Sequence, residues 1–368
     1  MAKKVLSINL WYHMYKNKTE MQLKCFRKLG YTTRVGYFEK NGNVISVCIY
    51  ESTDDGIALV LSHDERDYFS AFSFLFNYCI NEKYDFIYIR RLMLKIAFAT
   101  PYFKKVSKVV PIVYEIPTFP IDKAWDIKLS IRNTIELFCF NLSKKYFTLI
   151  PVVLCDNVNV PNNWLPFLNS IDIEEYYVTD VPPFENTIKL FVSSNLAPSH
   201  CLERLLTSIK SYSGPYRIEL TIVSKDTPSY RFIKEQATIL GLNNSINFLS
   251  EKTLSEVIGL GGSMHIGVGI LTYNEPHRTL DTSLKTKDYC AIGLPFFSSC
   301  KDLSFPAPFP YHYVISNDTY DIDLNTIIEW YLNIRKDSDY KQKMYDYAKN
   351  NLQYDKFAQQ IIDRLGLN

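Results

Sequence analysis

Residues 283–295, Ser-Leu-Lys-Thr-Lys-Asp-Tyr-Cys-Ala-Ile-Gly-Leu-Pro, put one carboxylate and two ammonium groups on a short helical pattern. Leu284 to Ile292 carries good helix formers, with apolar residues at 284, 291 and 292. Gly293 offers the left-handed position that ends a helix, and Pro295 forbids its continuation. Phe296 and Phe297 then begin a strand. A helix that feeds a parallel sheet in this way has its N-terminal end at the carboxyl edge of the sheet, where open α/β folds bind ligands. Lys285, Lys287 and Asp288 are therefore expected beside a ligand cleft, as an acidic hydrogen-bond acceptor flanked by cations.

The elements that must position these groups are written along the whole chain. At 368 residues it is too long for one typical core, and it suits two domains of about 150 to 190 residues. Lysine and arginine total 41 against 39 acidic residues, a formal charge of +2, so no bulk charge draws the chain to nucleic acid and any anion site must be local. Hydrophobic residues make up 47%, with 27 Tyr and 23 Phe, which excludes disorder and predicts large aromatic cores. Eight cysteines without a C-x-x-C pair indicate neither a zinc site nor a disulfide scaffold, and fit buried thiols in a reducing, cytoplasmic compartment. Lys3 and Lys4 precede an apolar run too short for a signal peptide, which reads as a first strand. No stretch reaches the roughly 18 apolar residues that span a bilayer, so membrane contact would be peripheral.

In the first half, strand patterns (Val5–Leu10, Arg34–Tyr37, Ile45–Tyr50, Ala58–Ser62, Phe86–Ile89, Val109–Tyr114) mix with helical ones (Lys18–Leu29, Tyr68–Ile80) as in a wound α/β sheet. Phe69, Phe72, Phe76, Cys79 and Ile80 fall on one helical stripe and are expected in the core. A Pro- and Asn-rich stretch from Pro151 to Phe184 predicts a domain boundary near residue 185. The second half repeats the alternation, with apolar runs at 188–194, 217–223, 246–249, 264–271, 296–298 and 311–316, and ends in helical patterns at Tyr340–Leu352 and Tyr354–Leu365. Gly259 to Gly269 is glycine-rich but lacks the spacing of a dinucleotide fingerprint.

The phrase at 283–295 resembles the nucleotide-sugar domain of GT-B glycosyltransferases, in particular bacterial surface-polysaccharide enzymes related to glycosyltransferase family 4, which read roughly S-x-L-K-T-x-E-Y-x-A-x-G-L-P-F. Asp288 stands at the usual Glu, and the resemblance gives it the ribose hydroxyls of the nucleotide. Three further segments are similar to the same group. Ser199-His200-Cys201-Leu202-Glu203-Arg204-Leu205 is similar to H-G-x-D-R-L and opens a helix whose N-terminus suits a phosphate, with Arg204 as a clamp and His200 on the donor. Cys201 replaces the glycine there, which makes close approach of a diphosphate harder. In His277-Arg278-Thr279-Leu280, Arg278 with Lys285 would neutralise the departing pyrophosphate. The family's pair of acidic residues eight positions apart is broken, because Leu280 stands eight before Asp288; Glu275 and Asp281 are out of register. Tyr114-Glu115-Ile116-Pro117-Thr118-Phe119-Pro120-Ile121-Asp122 resembles an E-I-P-T-Y-P-Y-D loop that would present Glu115, Thr118 and Asp122 to an acceptor, with Arg90 and Arg91 holding an anionic one. Asp321-Ile322-Asp323 matches the metal-binding D-x-D of the other large glycosyltransferase fold, but Asp323 makes a good helix N-cap and no metal site is expected.

The resemblance thus implies an α/β chain of GT-B type: two Rossmann-like domains, 1–184 for the acceptor and 185–350 for the nucleotide sugar, face a central cleft, and a helix at 351–368 crosses back onto the first. The expected activity is sugar transfer from a nucleoside diphosphate sugar, UDP-sugar favoured, to a glycan or lipid-linked acceptor in surface polysaccharide synthesis. It would proceed with retention and without metal or other cofactor, in the cytoplasm or at the inner face of the membrane. Glu115, Arg278 and Lys285 are the catalytic candidates, and His200, Arg204, Arg278, Lys285 and Asp288 bind the donor. Arg90, Thr118 and Asp122 bind the acceptor. Cys201, Ser224-Lys225-Asp226 and Phe248-Leu249-Ser250-Glu251 stand where relatives carry glycines or a glycine-containing turn. They support the alternative of a catalytically inactive homologue that serves as a protein partner or regulatory subunit.

Overall fold

The computed structural model describes residues 3–10, 12–13, 16–119, 127–154, 160–162, 164–274 and 280–367. The chain divides into two compact units, one from Met1–Leu154, Val158–Phe167 and Tyr354–Asn368, the other chiefly from Leu168–Gln353.

The first unit contains β1 (Lys3–Ile8), α1 (Lys16–Lys28), β2 (Tyr31–Asn41), β3 (Val44–Thr53), β4 (Gly56–Glu65), α2 (Tyr68–Glu82), β5 (Phe86–Arg90), α3 (Ile96–Val106), β6 (Ile112–Phe119), α4 (Ile127–Ser143), β7 (Ile150–Leu154) and β8 (Trp164–Phe167). Its eight strands run in the order β4-β3-β2-β1-β5-β6-β7-β8. From β2 to β8 neighbours are parallel. The strands β2, β3 and β4 instead form antiparallel hairpins, because Gly42-Asn43 and Asp54-Asp55 leave no room for the crossover that parallel pairing requires. In α2 the stripe Phe72, Phe76 and Cys79 is buried as the spacing predicts, and Asp67 caps the helix by accepting from the Ser70 amide at 2.8 Å. Phe69 departs from that stripe. It lies in the exposed first turn, edge-on to Phe98, and Ile80 is only partly buried.

Glu115 lies inside β6, so the expected loop begins later than its sequence suggests. Its carboxylate is fully buried and accepts from Arg90 at 2.7 Å, Tyr88 at 2.8 Å, Gln22 at 3.2 Å and Lys18 at 3.4 Å. Burial alone would raise its pKa, but Arg90, Lys18 and the two neutral donors prevail and hold it at about 2. The Tyr88 hydroxyl also meets that of Tyr354 at 3.4 Å. Tyr354 leads into α11 (Asp355–Leu365), the last helix of the chain, whose Phe357, Ala358, Ile361 and Ile362 pack with Phe26, Phe86 and Tyr88. The C-terminal helix therefore completes the core of the first unit.

The second unit contains β9 (Thr187–Ser193), α5 (Glu203–Ser211), β10 (Arg217–Val223), α6 (Pro228–Ile239), β11 (Ile246–Leu249), α7 (Leu254–Gly262), β12 (Ile266–Val268), β13 (Leu280–Asp281), α8 (Leu284–Ala291), β14 (Phe296–Ser298), β15 (Lys301–Asp302), β16 (His312–Val314), α9 (Leu324–Ile334) and α10 (Tyr340–Asn351). Six parallel strands run β11-β10-β9-β12-β14-β16, the doubly wound order whose direction reverses between its first and fourth strands. Tyr289 of α8 seals that reversal from below: its hydroxyl lies 3.3 Å from Phe191 O and 3.2 Å from Val268 O, and the Ser193 amide donates to it at 3.3 Å. The glycine-rich stretch serves such close packing. A Cβ on Gly267 would stand 2.7 Å from the Tyr289 ring, and one on Gly262 would stand 2.6 Å from Thr179 Oγ1.

Residues 168–184, read from sequence as the stretch before a boundary near 185, group with this second unit. Thr179 donates to Gly262 O at 2.8 Å and Arg335 to Pro182 O at 2.7 Å. Asp323 caps α9 through the Thr326 amide at 3.1 Å.

Because the Glu115 carboxylate is held at about 2 against an ordinary 4.5, the unfolded chain takes up its proton first on acidification. The stabilisation is present above pH 4.5 and is lost as pH falls toward 2. Glu115→Gln should therefore lower unfolding free energy at pH 7 by about 3 kcal/mol, measured by urea titration, with the deficit shrinking in acid.

Candidate active site

The candidate site lies at the carboxyl edge of the second sheet, around the β9–β12 reversal. Helix α8 ends as its sequence predicts, where the chain turns into β14: Gly293 has φ +69°, and a Cβ on it would stand 2.6 Å from Lys341 Cβ. Asp288, one turn into α8, accepts from the Tyr176 hydroxyl at 2.5 Å. Burial raises the Asp288 pKa to about 6, against the opposing pull of that hydrogen bond and of Lys287. Lys285, in the first turn, is nearly buried and donates to Gly269 O at 3.1 Å, which ties α8 to the end of β12. Lys287 does not face a ligand. It is wholly buried and paired with Asp302 at 2.5 Å, because its helix face turns toward β15.

The loop after β9 meets the loop after β12 at His200, whose carbonyl accepts from the Leu271 amide at 3.1 Å and whose Nδ1 lies 3.3 Å from Ser194 Oγ. Cys201, in the position the resemblance reads as glycine, keeps the left-handed backbone a glycine would adopt, with φ 46° and ψ 44°. Arg204 departs from its expected role as a phosphate clamp. It is completely buried, and its guanidinium donates to five carbonyls: Tyr320 at 3.0 Å, Leu271 at 2.9 Å, Thr272 at 2.7 Å, Ser316 at 3.2 Å and Thr319 at 2.5 Å. Five donors on five acceptors saturate the group, so it fastens the loops that follow β12 and β16 to α5 and has nothing left to offer an anion.

At the ends of β10 and β11, where glycines were expected, Lys225 and Glu251 form an ion pair at 3.1 Å. A cavity of about 290 Å³ opens between α5 and α6, walled by Leu196, Pro198, Leu202, Pro228, Phe232 and Ile233. It is apolar, and His200, Arg204, Lys285 and Asp288 do not line it. Arg278 and Glu275 lie outside the described residues, as does the side chain of Asp281.

In the first unit the acceptor candidates separate. Asp122 lies outside the described residues, and Thr118 is half-buried near the end of β6. Arg90 is spent on Glu115, and Arg91 on Glu136 of α4 at 2.5 Å. Neither Glu115 nor Arg90 presents a group to an acceptor, and a carboxylate held at about 2 by two cations is a poor proton acceptor. Sequence reasoning missed Tyr176, 112 residues from its partner Asp288, because nothing local marks a phenol for a distant carboxylate.

No family model and no curated protein matches the chain. Solved structures do, over its whole length, and they define its fold as that of the GT-B glycosyltransferases. Sucrose-phosphate synthase from Thermosynechococcus elongatus superposes with a TM-score of 0.69 at 11% identity, covering 98% of either chain. HepE from Anabaena, in complex with UDP-glucose, gives 0.67 at 12% identity over 99% of each. A glycosyltransferase from Rickettsia africae gives 0.66 at 10% identity over 99% of this chain and 98% of that one.

Two substitutions check the local physics. Arg204→Lys can satisfy at most three of the five carbonyls and should lower the unfolding free energy by about 3 kcal/mol or more, read from denaturant-induced unfolding. Cys201→Gly removes left-handed strain and should raise it by about 1 kcal/mol in the same assay.

Proposed function

We propose that the chain is a glycosyltransferase that moves a sugar from a nucleoside diphosphate sugar, UDP-sugar favoured, to a glycan or lipid-linked acceptor, with retention at the anomeric carbon. The observation that carries this reading is Asp288. It is a half-buried carboxylate on the helix that connects the two strands beyond the sheet reversal, in a fold shared over its whole length with HepE in complex with UDP-glucose. On this reading Asp288 accepts the ribose hydroxyls. Lys285, Arg278 and the N-terminal end of the helix after His200 receive the phosphates, and residues 118–122 face the acceptor. Catalysis then rests on alignment and on stabilising the departing diphosphate. Surface polysaccharide synthesis is the setting proposed from the sequence resemblance. Glu115 and Arg204 act as positioning residues.

The second reading, a non-catalytic partner subunit, draws on the Lys225–Glu251 pair and on Cys201, which occupy space that glycines would leave open. Calorimetric titration with UDP, GDP and their sugars separates the two. Micromolar binding that is lost in Asp288→Ala supports the enzyme; no binding to any nucleotide removes it.

The raised pKa adds a signature. With Asp288 titrating at about 6, its charge is present at pH 7 and largely neutralised at pH 5, so affinity should fall about tenfold over that interval. Asp288→Asn should be weak and flat across it.

A further inference from the structure

Helix α4 has two apolar faces, and among its described side chains only one face is packed. Inward, Phe140 packs among Tyr114, Phe147 and Trp164, Ser143 meets Thr100 at 3.1 Å, and Glu136 is held by Arg91. Outward, Ile131, Ile135, Phe138 and Leu142 are 56%, 42%, 64% and 47% exposed. Their spacing of four, three and four residues sets them on one stripe of a helix about 25 Å long. Leu137 and, on the turn that packs against α4, Met93 are exposed as well. Single apolar side chains on a surface need no explanation, but a contiguous stripe of large ones marks an interaction site.

The charges around the stripe identify the occupant. Arg132, Lys144 and Lys145 are exposed along the helix and its following turn, and Lys104 and Lys108 are exposed on and just after the neighbouring α3. Glu136 is the one carboxylate between residues 131 and 146, and it is buried on the opposite face. A helix partner in a protein interface meets mixed charges at its rim. Among the described residues the rim carries cations alone, and cations around an apolar stripe are the pattern of a helix lying in the plane of an anionic bilayer surface. We infer that α4 docks the first unit on anionic phospholipid, with Ile131, Ile135, Phe138 and Leu142 entering the headgroup boundary and Arg132, Lys144 and Lys145 contacting lipid phosphates. The stripe belongs to the first unit, and its docking does not depend on sugar transfer.

Co-sedimentation of the full chain with vesicles tests this. Binding is expected to vesicles of phosphatidylcholine mixed with phosphatidylglycerol, weak binding to phosphatidylcholine alone, and a decline as salt is raised. Replacing Arg132, Lys144 and Lys145 together by Gln should weaken binding to the anionic vesicles by about a hundredfold. Ile135→Ser with Phe138→Ser should abolish it, with circular dichroism and the thermal midpoint unchanged. If the double variant fails to fold, Phe138→Ser alone and the salt series of the native chain carry the test. A native chain that does not bind anionic vesicles at low salt overturns the inference, as do folded variants that bind like the native chain. So does a native dimer, by light scattering, that Ile135→Ser with Phe138→Ser converts to a monomer while vesicle binding is absent, because the stripe would then cover itself.

Discussion

The guanidinium of Arg204 is the point on which the loops at the carboxyl edge of the second unit's sheet depend. A buried cation without a carboxylate is tolerable only if its hydrogen-bond donors are all matched, and here each of the five finds a main-chain carbonyl. Those carbonyls belong to segments that have no regular structure of their own, at 271–272, 316 and 319–320. Arginine substitutes for the secondary structure these loops lack, and the orientation of His200, four residues before it, follows. Lys285 applies the same device on a smaller scale by anchoring α8 to the Gly269 carbonyl.

The first unit handles buried charge differently. Glu115 is neutralised by true countercharges and lies within a strand, so its cluster locks strands and helices together: Lys18 and Gln22 on α1, Tyr88 and Arg90 on β5, Tyr354 before α11. In both units the charged residues most conspicuous in the sequence hold backbone and helices in place. The groups left for ligand chemistry are then few: in the second unit Asp288 stands out, with a pKa displaced toward neutrality.

Much of the architecture was legible. Strand β14 coincides with its apolar run at 296–298 because a buried parallel strand is a continuous apolar segment, here cut off by Pro295 on one side. Gly293 and Asp323 mark helix ends by backbone geometry and side-chain capping, both local effects. Less could be read of the site. The acceptors of Arg204 lie 67 to 116 residues away and are carbonyls, which every residue type possesses. Charged side chains near a sheet edge look alike in sequence whether they face a ligand or a loop, and Lys287 and Arg204 show the difference only in three dimensions. The antiparallel hairpins β2–β3–β4 were readable in principle, since their two-residue turns exclude a crossover.

The position of α11 has a consequence for biosynthesis. Phe357, Ala358, Ile361 and Ile362 cover Phe26, Phe86 and Tyr88, yet they emerge from the ribosome only after the entire second unit has been made. Domains generally fold in order of synthesis, at about 5 to 20 residues per second. Here the first unit must wait roughly ten to forty seconds after Phe167 with part of its aromatic core open to solvent. The second unit, translated later, is complete at Gln353. The nascent chain thus finishes in reverse order, and its N-terminal half is the part that needs shielding until the tail arrives.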